Sequence, residues 1–325
     1  MKKNIALMAG GNSGEAGVSL RSAIQVEENI DKSLYNVYQI VLKGKEWFYE
    51  RDGIKHHINK DDFSLILEDK KINFDGVFII IHGTPGENGL LQGYFEMMNI
   101  PFASCSSLVS AITFDKVVCN AVVRELDVVR VAKNVSFYKN NSMSADEICQ
   151  KLTLPLFVKP SEGGSSIGMS KVKQKKELDL AIKTAFDVHQ RIIIEEFING
   201  RELTCGVLES KGEIIAFPIT EIIPKKEFFD YEAKYDGSTD EITPANVNEG
   251  IRIDVQKTAK KIYKGLNCKG VCRIDFIYDE EKQELFFLEV NTIPGQSAQS
   301  IVPKQVLSMG WTTKTLYSKM LEEIF

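Results

Sequence analysis

Four polar side chains lie inside two apolar stretches that otherwise read as a strand hairpin. The segment spanning 272–295 reads "CRIDFIYDEEKQELFFLEVNTIPG". Side chains alternate between the two faces of a strand, so Arg273 and Asp275 share one face of the first strand, and Glu289 and Asn291 share one face of the second. A buried carboxylate is costly unless a cation meets it, and carboxylate and amide oxygens are the ligands that magnesium prefers. The hairpin therefore predicts a magnesium site.

An internal ion pair is the alternative explanation of the same residues, with Arg273 bound to Asp275 or Glu289. The following loop, "NTIPGQSAQSIVP", favours the metal site, because Gly and Ser bring backbone N–H groups and hydroxyls close to a ligand. The opposite faces of the two strands are apolar, and we expect them to pack into a core. Those core positions are Ile274, Phe276, Leu288 and Val290.

A second chemically suggestive segment is the Gly- and Ser-rich loop in "LFVKPSEGGSSIGMSKV". Lys159 stands at the end of an apolar strand, and the loop at 163–168 can wrap phosphate oxygens with its backbone N–H groups and hydroxyls. The chain lacks the G-x-x-x-x-G-K-[ST] phosphate loop, and a strand follows this loop where that motif has a helix. The alternative to a phosphate-binding role is that this loop is only a mobile hairpin turn.

The first third of the chain must position two further candidate residues. Strand and helix signals alternate there, which predicts an open parallel sheet with helices on its faces, within a mixed α/β protein. Ligands bind such sheets beyond the carboxyl ends of the strands. The loops "AGGNSGE" and "HGTPGEN" fall at those ends, so we expect Glu15 and His82 to face one crevice.

Composition excludes several classes of protein. The chain has 325 residues, 43% of them apolar and 26% charged, with a net charge of −5, which suits a globular protein of two or three domains and argues against a general nucleic-acid binder. No apolar run is long enough to span a bilayer. Six cysteines without repeated close pairs indicate reduced thiols in a cytoplasmic protein; Cys268 and Cys272 lack the second pair expected of a zinc site.

Eight motifs in order give the chain a resemblance to the D-alanine–D-alanine ligases, a family of the ATP-grasp superfamily. They are "AGGNSGEAGVSLRSA", "IIHGTPGENGLLQG", "TFDK", "FVKPSEGGSSIGMSKV", "EEFINGREL", "FFDYEAKY", "CRIDF" and "LEVNTIPGQSAQSIVP". The resemblance implies an N-terminal open parallel α/β domain (residues 1–104) followed by two ATP-grasp domains, a central one (105–196) and a C-terminal one with the metal site (197–325).

The same resemblance implies roles for individual residues. It assigns catalysis to Glu15, Ser165, Tyr235, Arg273, Gly295 and Ser300. It assigns substrate binding to His82 and Ile301. It assigns ATP contacts to Lys116, Lys159, Ser166, Glu195, Glu196, Ile198, Glu202 and Lys234. It assigns two Mg²⁺ or Mn²⁺ ions to Asp275, Glu289 and Asn291.

The implied reaction is the ATP-dependent joining of two D-alanines through a D-alanyl phosphate, for peptidoglycan precursors, by a cytoplasmic homodimer. Asn88 and Ser297 depart from the usual "GEDG" and Thr of the family motifs, and neither replaces a residue with an assigned chemical role. Another ATP-dependent carboxylate–amine ligase and a catalytically silent nucleotide-binding regulator stay open as alternatives. Tyr235 in "YEAKY" favours D-alanine over D-lactate as the second substrate.

Overall fold

The N-terminal unit is built on a mixed sheet covered by two helices. The computed structural model describes residues 2–224 and 239–325. The elements of this unit are β1 (Lys3–Gly10), α1 (Ala16–Asn29), β2 (Tyr35–Lys43), β3 (Glu46–Arg51), β4 (Ile54–Asn59), β5 (Ser64–Leu67), β6 (Lys70–Asn73), β7 (Gly76–Ile79) and α2 (Leu90–Met97).

The expected parallel strands are present at one end of this sheet. Strand β1, fully buried from Ile5 to Gly10, pairs in parallel with β2 and β7. Strands β3 to β6 extend the sheet as antiparallel hairpins beyond β2, giving the order β6-β5-β4-β3-β2-β1-β7. The turn at Asp52 and Gly53 has φ values of 54° and 76°, which is the backbone of a tight hairpin turn.

The central part of the chain forms a second, antiparallel sheet of order β11-β10-β12-β9. Short 3₁₀ turns occur at Lys139–Asn141 and Lys175–Glu177. The elements are α3 (Ser107–Phe114), α4 (Lys116–Glu125), β8 (Arg130–Val131), β9 (Asn134–Tyr138), α5 (Ala145–Lys151), β10 (Leu156–Pro160), β11 (Ser170–Val172), α6 (Leu178–Phe186) and β12 (Arg191–Glu196).

The C-terminal part forms a third sheet whose described strands have the order β16-β15-β13-β17-β18-β8, with β14 paired to β13. The long helix α7 packs against β13 and β14. The elements are β13 (Arg201–Ser210), β14 (Glu213–Ala216), β15 (Thr220–Pro224), β16 (Thr239–Ile242), α7 (Glu249–Gly265), β17 (Val271–Asp279), β18 (Glu284–Asn291), α8 (Ile301–Ser308) and α9 (Thr313–Glu322).

Helices α3 and α4 and strand β8 belong by their packing to the third sheet. Strand β8 pairs in parallel with β18, and Cys105, Val109, Cys119 and Val123 lie in the same apolar cluster as the core of β13, β17 and β18. The second sheet has a separate core with α5 and α6. The segment from 105 to 131 thus packs with the third sheet although it precedes the second sheet in sequence, and the domain division at residues 104 and 196 stays a prediction.

Within the described ranges, the helices are all too short or too polar to cross a membrane.

Candidate functional site

The hairpin of β17 and β18 brings the four polar residues onto one surface, as their alternation predicts. Arg273 pairs with Asn291 across the strands, and Asp275 pairs with Glu289. Arg273 Nη2 lies 2.8 Å from Asp275 Oδ2, and Asn291 Nδ2 donates to the same oxygen at 3.0 Å. The Thr204 hydroxyl also donates to Asp275. The ion pair and the cluster of oxygen ligands are therefore features of the same site.

The apolar face of this hairpin departs from strict alternation at one position. A bulge between Asp275 and Phe276 shifts the register, so Phe276 faces Phe287, and Leu288 is an extra residue on its strand. Phe287 is buried in the core, whereas Leu288 is only partly buried. The prediction that Leu288 is a core residue is wrong, because the bulge makes Leu288 an extra residue and breaks the strict alternation of faces on its strand.

Lys159 and Glu195 form a buried ion pair on the second sheet. Lys159 Nζ lies 2.7 Å from Glu195 Oε2, and the two side chains are 12% and 11% exposed. Asn120 Nδ2 donates to the other carboxylate oxygen at 2.8 Å. Burial acts to lower the pKa of Lys159, but the charge of Glu195 and its hydrogen bond prevail and raise that pKa. Lys159 is therefore a fixed cation at the edge of the cavity.

Lys116 provides a second cation from the first turn of α4. Asp115 caps this helix by accepting hydrogen bonds from the N–H groups of Val117 and Val118, at 2.8 and 3.1 Å. Ser161 Oγ donates to Asp115 Oδ1 at 2.5 Å, and Lys116 Nζ donates to the Gly163 carbonyl at 2.7 Å. These contacts hold the start of the Gly/Ser loop against α4.

The Gly/Ser loop has an unusual backbone. Gly163, Ser165, Ser166 and Gly168 have φ values of 117°, 52°, 58° and 73°. Two successive serines in the left-handed region are strained, and such strain is concentrated at functional sites. Ser165 Oγ donates to Glu15 Oε1 at 2.6 Å, so the strained loop contacts the residue that precedes α1. This hydrogen bond connects the Gly/Ser loop to the N-terminal unit.

His82 joins the N-terminal unit to the loop after β18. Its Nδ1 lies 2.8 Å from the Ile293 carbonyl, which only accepts, so Nδ1 carries the proton. Its Nε2 then accepts from the Ser22 hydroxyl at 3.3 Å. Burial lowers the pKa of His82. Both ring nitrogens are bonded within the protein, so this neutral histidine positions the loop that contains Gly295.

Glu87 is a site residue that the sequence reasoning missed. It is partly buried, and the N–H of Gly83 donates to its Oε2 at 2.6 Å. Burial, together with the charge of Glu15, raises its pKa to about 7. The sequence signal for Glu87 was its position five residues after His82, in the same loop at the carboxyl end of the parallel strand β7.

The start of α8 faces the same space. Ser300 is the residue that precedes this helix, and its side chain makes no capping hydrogen bond to the helix. Its hydroxyl lies 2.8 Å from that of Ser297. A Cβ on Gly295 would come within 2.8 Å of Ser300 Oγ, so glycine permits the close approach of the loop to the helix start. Helix N-termini favour anions.

The hairpin, the Gly/Ser loop and the start of α8 face one cavity of about 410 Å³. The described residues predicted from the sequence all contribute to it: Glu15, His82, Lys116, Lys159, Ser165, Ser166, Glu195, Glu196, Ile198, Glu202, Arg273, Asp275, Glu289, Asn291, Gly295, Ser300 and Ile301. Glu87 lines it as well. The predictions for Lys234 and Tyr235 lie outside the described residues.

The fold and this cavity define an ATP-grasp ligase. A solved structure with 35% identity, the VanG D-Ala:D-Ser ligase of Enterococcus faecalis, superposes with a TM-score of 0.91 over 100% of both chains. The D-alanyl-alanine synthetase A of Vibrio cholerae has 26% identity and a TM-score of 0.89, with 99% of this chain and 98% of the other covered.

Sequence comparison specifies the family. Residues 4–105 match the family model of the D-ala D-ala ligase N-terminus, and residues 123–322 match that of the C-terminus. The D-alanine–D-alanine ligase of Bacteroides fragilis is 43% identical over 326 residues, covering 100% of both chains. That of Christiangramia forsetii is 45% identical over 324 residues, covering 99% of this chain and 98% of its relative. The chain belongs to the D-alanine–D-alanine ligase family.

Proposed function

We propose that this protein joins two D-alanine molecules to D-alanyl-D-alanine at the expense of ATP, for peptidoglycan precursor synthesis. The observation that supports this function best is the single cavity, in which two lysines, an arginine with acid and amide ligands, and the N-terminal acid Glu15 surround one space. A carboxylate is a poor acyl donor until it is activated, and this set of charges suits activation by phosphoryl transfer.

In the first step, a carboxylate oxygen of the first D-alanine attacks the γ-phosphorus of ATP, and ADP leaves. Lys116 and Lys159 bind phosphate oxygens, and Arg273 faces the charge that develops on the transferred group. Glu15 binds the ammonium group of this substrate. The product of the step is D-alanyl phosphate.

Asp275, Glu289 and Asn291 are the proposed ligands of one or two Mg²⁺ or Mn²⁺ ions. Two carboxylates and an amide are a fitting donor set for a hard cation, which would neutralise charge between the phosphates and the incoming carboxylate. Asn291 directs Nδ2 toward Asp275, so we expect its amide to turn and present Oδ1 to an ion.

The adenosine part of ATP is proposed to lie along 195–202. The Glu195 carboxylate accepts hydrogen bonds from Lys159 and Asn120, and Glu196 Oε1 accepts from the Thr153 N–H at 2.8 Å. These carboxylates are held by the protein, which leaves the backbone of this segment and the side chain of Ile198 to contact the base. Glu202 would bind the ribose hydroxyls, and Ser166 a phosphate.

In the second step, the amine of the second D-alanine attacks the acyl carbonyl and phosphate leaves. Arg273 and the Gly295 N–H would stabilise the oxyanion, and Ser300 with the Ile301 N–H at the start of α8 would bind the second carboxylate. We assign proton acceptance to Glu87, because the arriving ammonium must lose a proton before its nitrogen can attack, and a pKa of about 7 suits that role.

The test is phosphate release from ATP and magnesium with D-alanine, L-alanine or no amino acid. We expect release with D-alanine only, and a product with the mass of the dipeptide. Release with another carboxylate and amine, but not with D-alanine, would indicate a different ligase, and nucleotide binding without turnover would indicate a regulator. D-serine belongs in the panel, because a D-Ala:D-Ser ligase is among the similar structures.

We also propose a homodimer formed through the N-terminal unit, as the family resemblance implies. Large apolar side chains on this unit and its edge support an interface there: Ile24, Leu90, Met97 and Leu108 are at least half exposed. Sedimentation of the native protein tests this. A cytoplasmic location is proposed from the six free cysteines.

A further inference from the structure

Three cysteines that are distant in sequence meet outside the ligase cavity. Cys105 precedes α3, Cys268 follows α7, and Cys272 lies at the start of β17. Their Sγ atoms all lie within 4.8 Å of one another, and the Cys105 and Cys272 sulfurs are 3.5 Å apart. The three residues are 0%, 2% and 0% exposed. The fold thus encloses three sulfur ligands at one point.

The turn between α7 and β17 holds this cluster together. The Lys269 N–H donates to Cys105 Sγ at 3.3 Å, which stabilises negative charge on that sulfur. Gly270 has a φ of 64°, and a Cβ there would lie 3.1 Å from Ser104 Cα and 3.2 Å from the Ala103 carbonyl oxygen. Glycine therefore allows the turn to wrap closely around the segment that contains Cys105.

The spacing of the sulfurs fits a bound ion. A cation at the centre of three sulfurs about 4 Å apart lies about 2.3 Å from each, which is a normal zinc–thiolate bond length. The Lys269 carbonyl oxygen, 3.3 Å from Cys105 Sγ and 3.9 Å from Cys272 Sγ, offers a fourth donor.

We propose that Cys105, Cys268 and Cys272 form a binding site for a soft, thiophilic metal ion of the Zn²⁺ or Cu⁺ type, separate from the magnesium site. Soft thiolate sulfur selects such ions over magnesium. Each thiol that becomes a ligand releases its proton to solvent, so binding needs no oxidant or reductant.

The site lies on the opposite face of β17 from the ligase chemistry. Cys272 directly precedes Arg273, and because side chains alternate, Cys272 points into the apolar core while Arg273 and Asp275 face the cavity. A bound ion would tie β17 to the segment before α3 and stabilise the floor of the cavity without entering it. The expected effect is on stability, not on the chemical steps.

Cadmium is a suitable probe, because its thiolate complexes absorb in the ultraviolet by charge transfer. The reduced native protein, without nucleotide or magnesium, is titrated with Cd²⁺ while absorbance, proton release and the thermal midpoint are measured. We expect a saturable band at one ion per chain, release of about three protons per ion, and a raised thermal midpoint. Dialysis with Zn²⁺ and with Cu⁺ then identifies the preferred ion.

Substitutions locate the ion. Cys105→Ala and Cys272→Ala should weaken Cd²⁺ binding by more than the roughly 10–100-fold that loss of an outer-shell contact costs. Cys205→Ala is the matched control, because Cys205 is also fully buried beside β17 but outside the cluster. Excess Mg²⁺ should not displace the ion.

Three results would overturn the proposal. One is a native protein with no saturable band, which would make the cluster a packed group of reduced thiols. The second is a band that persists in both cluster variants or disappears equally in Cys205→Ala. The third is displacement of the ion by Mg²⁺, which would place it at the carboxylates. Where a variant folds poorly, the Cd²⁺ titration of the native protein still decides whether the cluster binds an ion or is a packed group of reduced thiols.

Discussion

Asp275 shows how this site accommodates a nearly buried carboxylate. Its side chain is 3% exposed, and it accepts hydrogen bonds from Arg273, Asn291 and Thr204. Charge-assisted hydrogen bonds of this kind offset the loss of hydration. Removal of a single partner would leave a buried charge incompletely paired, so the arginine and the metal ligands depend on one another.

Glu289→Gln tests the metal assignment. The change removes one negative charge from a preformed ligand set while it keeps nearly the same shape, so we expect kcat to fall at least about a hundredfold, which is about 2.7 kcal/mol of transition-state stabilisation. Steady-state phosphate release and circular dichroism measure activity and folding. Glu281→Gln in the exposed hairpin turn is the control. Activity within about threefold of the native enzyme would contradict the role of Glu289.

Glu87→Gln tests the raised pKa. The folded protein favours protonated Glu87, with a pKa of about 7 against an ordinary value of 4.5, so its contribution to stability is full below pH 4.5 and is lost as the pH rises through 7. Glutamine has no charge to bury. We expect Glu87→Gln to raise the free energy of unfolding by on the order of 1–3 kcal/mol at pH 8 and little at pH 5.

The same variant should lose activity at pH 8, because glutamine accepts no proton. Denaturant unfolding and initial rates at both pH values give the two readouts. Glu50→Gln, at an exposed position, should change neither. A stability difference that is the same at pH 5 and pH 8 would show that Glu87 has an ordinary pKa in the folded protein.

At the scale of elements, the hydroxyl of Ser165 connects the Gly/Ser loop to the N-terminal unit. Ser165→Ala removes the hydrogen bond to the Glu15 carboxylate, which costs about 1.5–3 kcal/mol for a charged partner. We expect lower kcat/KM and faster amide exchange at 161–168 in the presence of ATP, magnesium and D-alanine. In the native protein, the same amides should become protected when these ligands bind.

Ser142→Ala, on an exposed turn, serves as the comparison for this loop variant. Hydrogen exchange followed by mass spectrometry measures amide protection at 161–168 in each protein, with and without ligands. Equal protection of 161–168 in native protein under both conditions would refute closure of this loop over the substrates.

The elements also show what the sequence could specify. Alternation correctly placed Arg273, Asp275, Glu289 and Asn291 on one surface, because a period of two is a local property. The bulge that exposes Leu288 was not predictable, since register depends on the partner strand. The antiparallel strands β3 to β6 did have a local signal, the Asp52-Gly53 turn. The prediction of a parallel sheet did not include it, because that prediction relied on the alternation of strand and helix signals.

At the scale of the whole molecule, the site exists only where all three sheets meet. His82 contacts Ile293 across 211 residues, and Ser165 contacts Glu15 across 150. Local patterns do not encode such contacts, nor the meeting of Cys105 with Cys272. The motifs of the family resemblance placed the cavity residues together because they were read in order along nearly the whole chain.

The arrangement of the assembled cavity also predicts the second substrate. Glu15 is assigned to the first D-alanine, and Glu87 is an acid that also lines the cavity, so the ammonium group that the second D-alanine brings is attracted by Glu87. D-lactate brings an uncharged hydroxyl with the same carboxylate, so it gains nothing from this acid. Tyr235, outside the described residues, is predicted to support the same choice. Tyr235→Phe should weaken closure of the site over its substrates by about 0.5–1.5 kcal/mol, the value of one lost hydrogen bond.

A competition assay measures this choice directly. Equimolar D-alanine, D-serine and D-lactate are supplied with ATP and magnesium at pH 8, where Glu87 is ionised and able to accept the ammonium proton. We expect the D-alanyl-D-alanine peptide to predominate by mass spectrometry, with the ester a minor product. At pH 6, protonation of Glu87 and of the amine should slow peptide formation more than ester formation. A predominant ester at pH 8 would show that the acids of the cavity do not select the nucleophile.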